Sequence, residues 1–393
     1  MADYIRRDCQ DEVKSLAEKY PVITLTGPRQ AGKTTLCRMA FNHLPYANLE
    51  HPETRVYAAE DPNGFLANYP NGAILDEFQR VPDLTSYIQV RVDEPGFDGT
   101  FVLTGSQNLG VRNTVSQSLA GRTALVELLP FSCGELKAFR ADLSDDELLY
   151  AGFYPRIWAR GLTPARAYAD YVGTYVERDV RQLSMIRDLS LFQRFLGLCA
   201  GRIGQLLNLE GLGNDCGVVQ STAREWLSLL EASYLAFRLP PFFSNISKRL
   251  VKTPKLYFYD VGLAAHLIGI TEPAQLRTHP LRGMLFENLV VVEVLKYFLN
   301  RCQRPHLHFY RDSNGNEVDL VLARGPKWAP IEIKSAATIK PGLLKGLFRF
   351  MEAVPNAVEP MLVYAGSGER RQNGVHILPR RRLTDALEHR FGV

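Results

Sequence analysis

Gly27-Pro28-Arg29-Gln30-Ala31-Gly32-Lys33-Thr34 fits the spacing GxxxxGK[ST], and its surroundings decide how the chain folds. Before it, Val22 to Thr26 reads as a buried strand; after it, Lys33 to Ala40 reads as a helix. Glycine permits a loop whose successive N–H groups curl around an anion, and the helix N-terminus adds positive potential. In that cradle Lys33 is placed to reach β- and γ-phosphates, Thr34 offers a hydroxyl to Mg²⁺, and Thr35 follows it. A strand, this loop and a helix together predict a nucleotide-phosphate site.

The next apolar strand supports that expectation. Gly72-Ala73-Ile74-Leu75 ends in Asp76 and Glu77, so Asp76 is a candidate for the Mg²⁺ shell and Glu77 for polarising a water nucleophile. A water activator suits a hydrolase and has no use in a small-molecule kinase. No NKxD sequence is present to read guanine, so ATP is the expected nucleotide. Phe101 to Thr104 reads as a further strand, with Ser106 and Gln107 as candidate phosphate sensors at its end. Arg122, in Ser118-Leu119-Ala120-Gly121-Arg122, is a candidate arginine finger; a surface arginine paired with an acid is the plain alternative. With Ala124 to Leu128, these runs alternate with helical patterns, as in a parallel α/β sheet.

Bulk properties narrow the class. At 393 residues, with 46% hydrophobic and 22% charged residues, the chain suits two or three globular domains. No apolar run is long enough to span a membrane. Six cysteines stand singly, which argues against a disulfide scaffold or a structural zinc site. Arg6, Arg7 and Asp8 do not resemble a secretion signal, so a reducing cytoplasm is expected. A net charge of +4 permits nucleic acid without requiring it.

Residues 203 to 260 give a helix–turn–helix–hairpin order, with predicted strands at 234–239 and 255–259, the order of a winged helix. Arg238, Lys248, Arg249, Lys252 and Lys255 lie there without an intervening acid, which suits a DNA-facing wing or a solvated loop. Beyond 281 the pattern returns to α/β: a helix from Leu285 to Phe298, then strands at 306–310, 317–322, 330–334 and Met361 to Tyr364. Asp319 and Glu332 fall on neighbouring strands, and Lys334 shares the strand face of Glu332. Two carboxylates and a lysine can hold Mg²⁺ or Mn²⁺ and orient water, with Glu287 from the preceding helix completing the set. The same alternation also describes an ordinary half-exposed strand. His306 and His308 share a strand face and read as packing or solvated residues.

GPRQAGKTTL at 27–36, AILDEFQRVPDL at 73–84, LTGSQ at 103–107 and SLAGR at 118–122 resemble the ATPase motifs of a prokaryotic AAA-type P-loop family. Members join that module to a C-terminal domain similar to PD-(D/E)XK nucleases. YVERDVRQL at 175–183, LFENLVVVEV at 285–294, FYRDSNGNEVDLVL at 309–322 and IEIKSA at 331–336 carry the resemblance to the chain's end. It implies that Lys33, Thr34, Asp76 and Glu77 carry ATP chemistry, and that Glu287, Asp319, Glu332 and Lys334 occupy nuclease-like positions. Gln107 departs from the serine or asparagine common at the sensor position. The expected fold is therefore α/β in three parts: an AAA-type parallel sheet over 1–135, a helical region with a winged helix over 136–270, and a restriction-endonuclease-like domain over 271–393. The expected function is ATP hydrolysis coupled to DNA binding or cleavage, in a homo-oligomer. The rival is an ATP-driven switch on protein partners, with the C-terminal domain as a binding module.

Overall fold

A computed structural model of the chain describes residues 5–106, 118–176, 188–242 and 251–391. Gln107, Lys248 and Arg249 lie outside the described residues.

The first sheet contains β1 (Val22–Thr26), β2 (Tyr46–Asn48), β3 (Ile74–Asp76), β4 (Phe101–Gly105) and β5 (Thr123–Glu127), in the order β2-β3-β4-β1-β5. Every pairing is parallel, so all five strands end at one edge. β1 and β4 are buried along their whole length, which explains their unbroken apolar composition. Because β4 lies between β1 and β3, its end separates the loop after Thr26 from the Asp76–Glu77 pair. That shared edge is where a ligand meets the sheet. β2, too short to show a period in the sequence, covers the far edge by pairing Asn48 with Asp76.

The middle region is helical. Pro164–Tyr171 continues into a π-helical turn at Val172–Val176. Helices Leu189–Ala200, Leu209–Cys216 and Gln220–Ala232 then lead to an antiparallel hairpin of β6 (Ala236–Leu239) and β7 (Lys255–Phe258). Local chemistry sets these limits: Asn208 accepts a hydrogen bond from the Gly211 amide, and Gly217 ends the same helix at φ +86°. Trp226 locks the first and third helices by packing edge-on against Phe192 and Phe195.

The C-terminal part is a mixed six-stranded sheet in the order β12-β13-β11-β10-β9-β8. Its strands are β8 (Leu307–Arg311), β9 (Glu317–Arg324), β10 (Lys327–Lys334), β11 (Met361–Tyr364), β12 (Arg370–Gln372) and β13 (Val375–Pro379). The helix Arg282–Leu299 is buried on nearly all faces, as its all-round apolar sequence requires. A continuous apolar core runs from Phe131 through the middle helices and this helix to Leu387. No described helix is long and apolar enough to cross a membrane.

Candidate nucleotide site

The loop after β1 needs glycine at two positions. A Cβ at Gly27 would lie 2.0 Å from the Leu128 carbonyl oxygen, and Gly32 opens the helix at φ +95°. Lys33 is buried, and its Nζ donates to the carbonyl oxygens of Gly27 and Pro28 at 2.9 and 2.8 Å. Burial pushes the Lys33 ammonium down to about 8, against the opposing pull of Glu77 and Asp76. The lysine thus rests on its own loop, beside the place where phosphate charge would sit.

Asp76 is buried beneath that loop. Thr34 Oγ1 donates to Asp76 Oδ2 at 2.9 Å, Tyr46 Oη donates to the same oxygen at 2.7 Å, and Thr104 Oγ1 donates to Oδ1. Glu77 follows at φ +56°, a left-handed conformation unusual for glutamate and of the kind found where geometry serves function. Gln79 Nε2 donates to Glu77 Oε2, and Ser106 Oγ approaches it at 3.5 Å. Ser106 therefore sits beside the candidate water activator. Thr34 and Asp76, a hydroxyl and a carboxylate in contact, are oxygen donors of the type Mg²⁺ takes alongside waters and phosphate.

Residues 29–36 of the loop and helix, with Glu77, line a cavity of about 830 Å³, a volume suited to a nucleotide. One wall is the loop, the helix after it and Glu77. The other comes from the N-terminal segment and residues 131–162, and contains Arg7, Arg156 and Arg160. Arg7 is buried, donating to the Ala31 carbonyl at 2.7 Å, the Leu129 carbonyl at 2.7 Å and Glu135 at 2.8 Å. It braces the phosphate loop against the residues that follow β5. Arg156 and Arg160 are exposed, one turn apart on the helix Pro155–Arg160. Reading the sequence missed all three arginines and Gln79. The gluing of distant segments into one cavity leaves no local pattern, although the i, i+4 spacing of Arg156 and Arg160 was visible.

Arg122 lies elsewhere. Its carbonyl accepts from the Val22 amide at the start of β1, so it stands at the edge of the sheet opposite its own phosphate loop. Its guanidinium makes two 2.7 Å hydrogen bonds to Asp93.

In the C-terminal sheet, Leu320 pairs with Ile331, which sets Asp319 beside Glu332 as expected. Lys334 Nζ lies 2.5 Å from Glu332 Oε1 and 3.3 Å from Asp319 Oδ2. Glu287 instead receives Lys255 Nζ at 3.0 Å and the Tyr257 hydroxyl, both from β7; Lys255 also reaches Glu317. Burial, with Asp319 adding to it, raises Glu287 to about 7 and Glu332 to about 8. Glu332 Oε2 is buried without a hydrogen-bond partner. Burial opposes the charge on Lys255 and Lys334, but the surrounding carboxylates outweigh it and hold both ammonium groups above their usual range. Among the described residues no group of three or more His, Cys, Asp or Glu is placed to hold a metal. Lys334 thus lies beside Asp319 and Glu332, while Lys255 from β7 stands between Glu287 and Glu317.

In the basic hairpin Lys255 is buried in this cluster and faces away from solvent, whereas Lys252 is exposed and Arg238 is exposed with Glu231 at 2.7 Å. His308 packs edge-on against Phe242 and Trp328.

Comparison with known proteins divides the chain into three matched segments. Residues 19–137 match an AAA domain, 144–274 a domain of unknown function (DUF8612), and 282–383 a domain of unknown function (DUF4143). The chain is similar to the uncharacterized protein Rv2008c of Mycobacterium tuberculosis, 32% identical over 336 residues, covering 85% of this chain and 74% of that one. The uncharacterized protein Mb2031c of Mycobacterium bovis matches with the same values. Among solved structures it is similar to the Walker-type ATPase PABY2304 of Pyrococcus abyssi, with TM-score 0.45 and 15% identity, over 68% of this chain and 96% of that chain.

Proposed function

The chain belongs to the AAA-domain family that includes Rv2008c of Mycobacterium tuberculosis, and we propose that it binds ATP with Mg²⁺ and hydrolyses it. The observation that carries this reading is the contact between Thr34 and Asp76 with Glu77 lining the same cavity as the phosphate loop. Lys33 would leave its loop carbonyls for the β- and γ-phosphates. Thr34 and Asp76 would hold the Mg²⁺ that arrives with ATP and balances phosphate charge. Glu77, oriented by Gln79 and Ser106, would take a proton from the attacking water. Arg156 and Arg160 would face the phosphates from the second wall.

The test is Mg²⁺-dependent phosphate release together with nucleotide affinity. Lys33→Ala should lose ATP binding, whereas Glu77→Gln should bind ATP and turn over at least 100-fold more slowly, the scale of a lost general base. Equal ATP affinity in wild type and Lys33→Ala overturns the assignment.

For the rest of the molecule we favour an ATP-driven switch over a nuclease. Lys255 and Lys334 neutralise the acidic cluster from within, which supports a binding or structural role for the C-terminal sheet. The three helices and hairpin before it have winged-helix order, but Lys255 and Tyr257 turn inward onto Glu287, so this strand of the hairpin packs on the chain's own helix Arg282–Leu299. ATPase rates with and without single-stranded, duplex and branched DNA, and nicking assays with Mg²⁺ or Mn²⁺, decide between them. DNA-stimulated turnover or metal-dependent nicking abolished by Asp319→Ala would reverse the preference.

A further inference from the structure

We propose that Phe139 is the platform on which the nucleotide base stacks, and that this site reads a purine by its flat face rather than by side-chain hydrogen bonds. The inference rests on the proposed ATP site and extends it to how the base is recognised.

An exposed phenylalanine ring costs free energy unless something covers it. Phe139 is 36% exposed, and of the large apolar side chains left exposed among the described residues it alone lines the nucleotide cavity. One side of the ring is backed by Phe131, with centroids 5.7 Å apart. Phe131 is in turn covered by the Arg7 guanidinium, 5.0 Å from its centroid. Arg7 cannot drift, because its donors are engaged by Ala31, Leu129 and Glu135. The platform is therefore rigidly supported from behind and open toward the cavity. Ile5, Pro155 and Leu162 extend the apolar surface around it.

The same wall holds no side-chain acceptor. Its polar members, Arg7, Arg156 and Arg160, are donors only. Adenine's 6-amino group requires an acceptor, which this wall lacks. Guanine's O6 and N7 could accept from an arginine, but Arg7 is engaged by Ala31, Leu129 and Glu135, and Arg156 and Arg160 are assigned to the phosphates. No side chain of this wall therefore selects one purine over the other. Stacking tolerates any base and favours the larger ring system. The occupant is thus a purine nucleoside triphosphate whose charged end is fixed by the phosphate loop.

Three ligands, ATP, GTP and inorganic tripolyphosphate, titrated with Mg²⁺ by calorimetry, separate the base from the phosphates. Wild type should bind ATP and GTP within about tenfold of each other. Phe139→Ala should weaken both by roughly 5- to 100-fold, the scale of a lost stacking partner, and leave tripolyphosphate unchanged. Phe139→Trp should restore both. The platform is overturned if Phe139→Ala binds ATP as wild type does, or if tripolyphosphate weakens with ATP. A wild-type preference for ATP over GTP beyond 100-fold overturns reading by the flat face. Failure of wild type to bind either ATP or tripolyphosphate is a different result, which overturns the ATP site itself and the platform with it.

Discussion

The hydroxyl of Tyr234 donates to Thr26 Oγ1 at 2.9 Å, joining the middle region to the last residue before the phosphate loop. Tyr234 is buried in a left-handed conformation, φ +57°, and its ring packs on Tyr259 just beyond β7. Three residues before Phe258, near the other end of β7, Lys255 enters the acidic cluster. At about 3.3 Å per residue the nucleotide site and that cluster are tied by one strand of roughly 13 Å.

Tyr234→Phe keeps the ring and removes the donor. It should lower unfolding free energy by about 1 kcal/mol, the net worth of one such hydrogen bond, read from the denaturant midpoint. An unchanged midpoint would show that the contact contributes nothing to holding the two regions together.

Lys33 gives the ATP site a pH dependence with a definite sign. The empty site holds this lysine at about 8, below its usual value, and bound phosphates favour its charged form. ATP affinity should therefore be highest below pH 8 and fall toward pH 9.5, by up to about tenfold per pH unit. Calorimetry near pH 8.5 in buffers of different ionisation enthalpy should show proton uptake on binding. Affinity flat to pH 9.5 contradicts the buried-lysine origin of the effect.

Lys255 and Glu287 should behave as a coupled pair. Lys255→Met leaves buried carboxylates uncompensated and should cost about 3–5 kcal/mol. Adding Glu287→Gln should recover a large part of that loss, while Glu317 keeps the recovery incomplete. Simple addition of the two single losses would argue that the contact is incidental.

Arg122 stands at the sheet edge opposite its own phosphate loop, and we propose that it acts in trans as a finger for a neighbouring copy. Specific activity should then rise with protein concentration, and mixing Arg122→Ala with Lys33→Ala should restore turnover that each lacks alone. Absence of both effects would leave Arg122 as the partner of Asp93.

What was legible in the sequence was local. The strand–loop–helix at 22–40 carries its own spacing rule, so Val22–Thr26 and Lys33–Ala40 lie where the pattern puts them. The three-residue strands Tyr46–Asn48 and Arg370–Gln372 are shorter than any period can reveal. Lys255 misled for a different reason: a run of basic residues shows the sign of a charge but not its direction. Only tertiary packing turns that lysine inward onto Glu287, and the same packing brings Arg7, Arg156 and Arg160 to a loop far away in the chain.

The apolar core shared from Phe131 to Leu387 has a consequence for how the chain can be divided. The last two matched segments share this interior, although the C-terminal one adds a second cluster of its own around Leu347 and Phe350. A fragment ending near 274 would present its severed half of that interior to water and seek another copy of the missing part. A single proteolytic cut between 274 and 282 should instead go unnoticed under native conditions, because the two fragments would stay clasped until denaturant separates them.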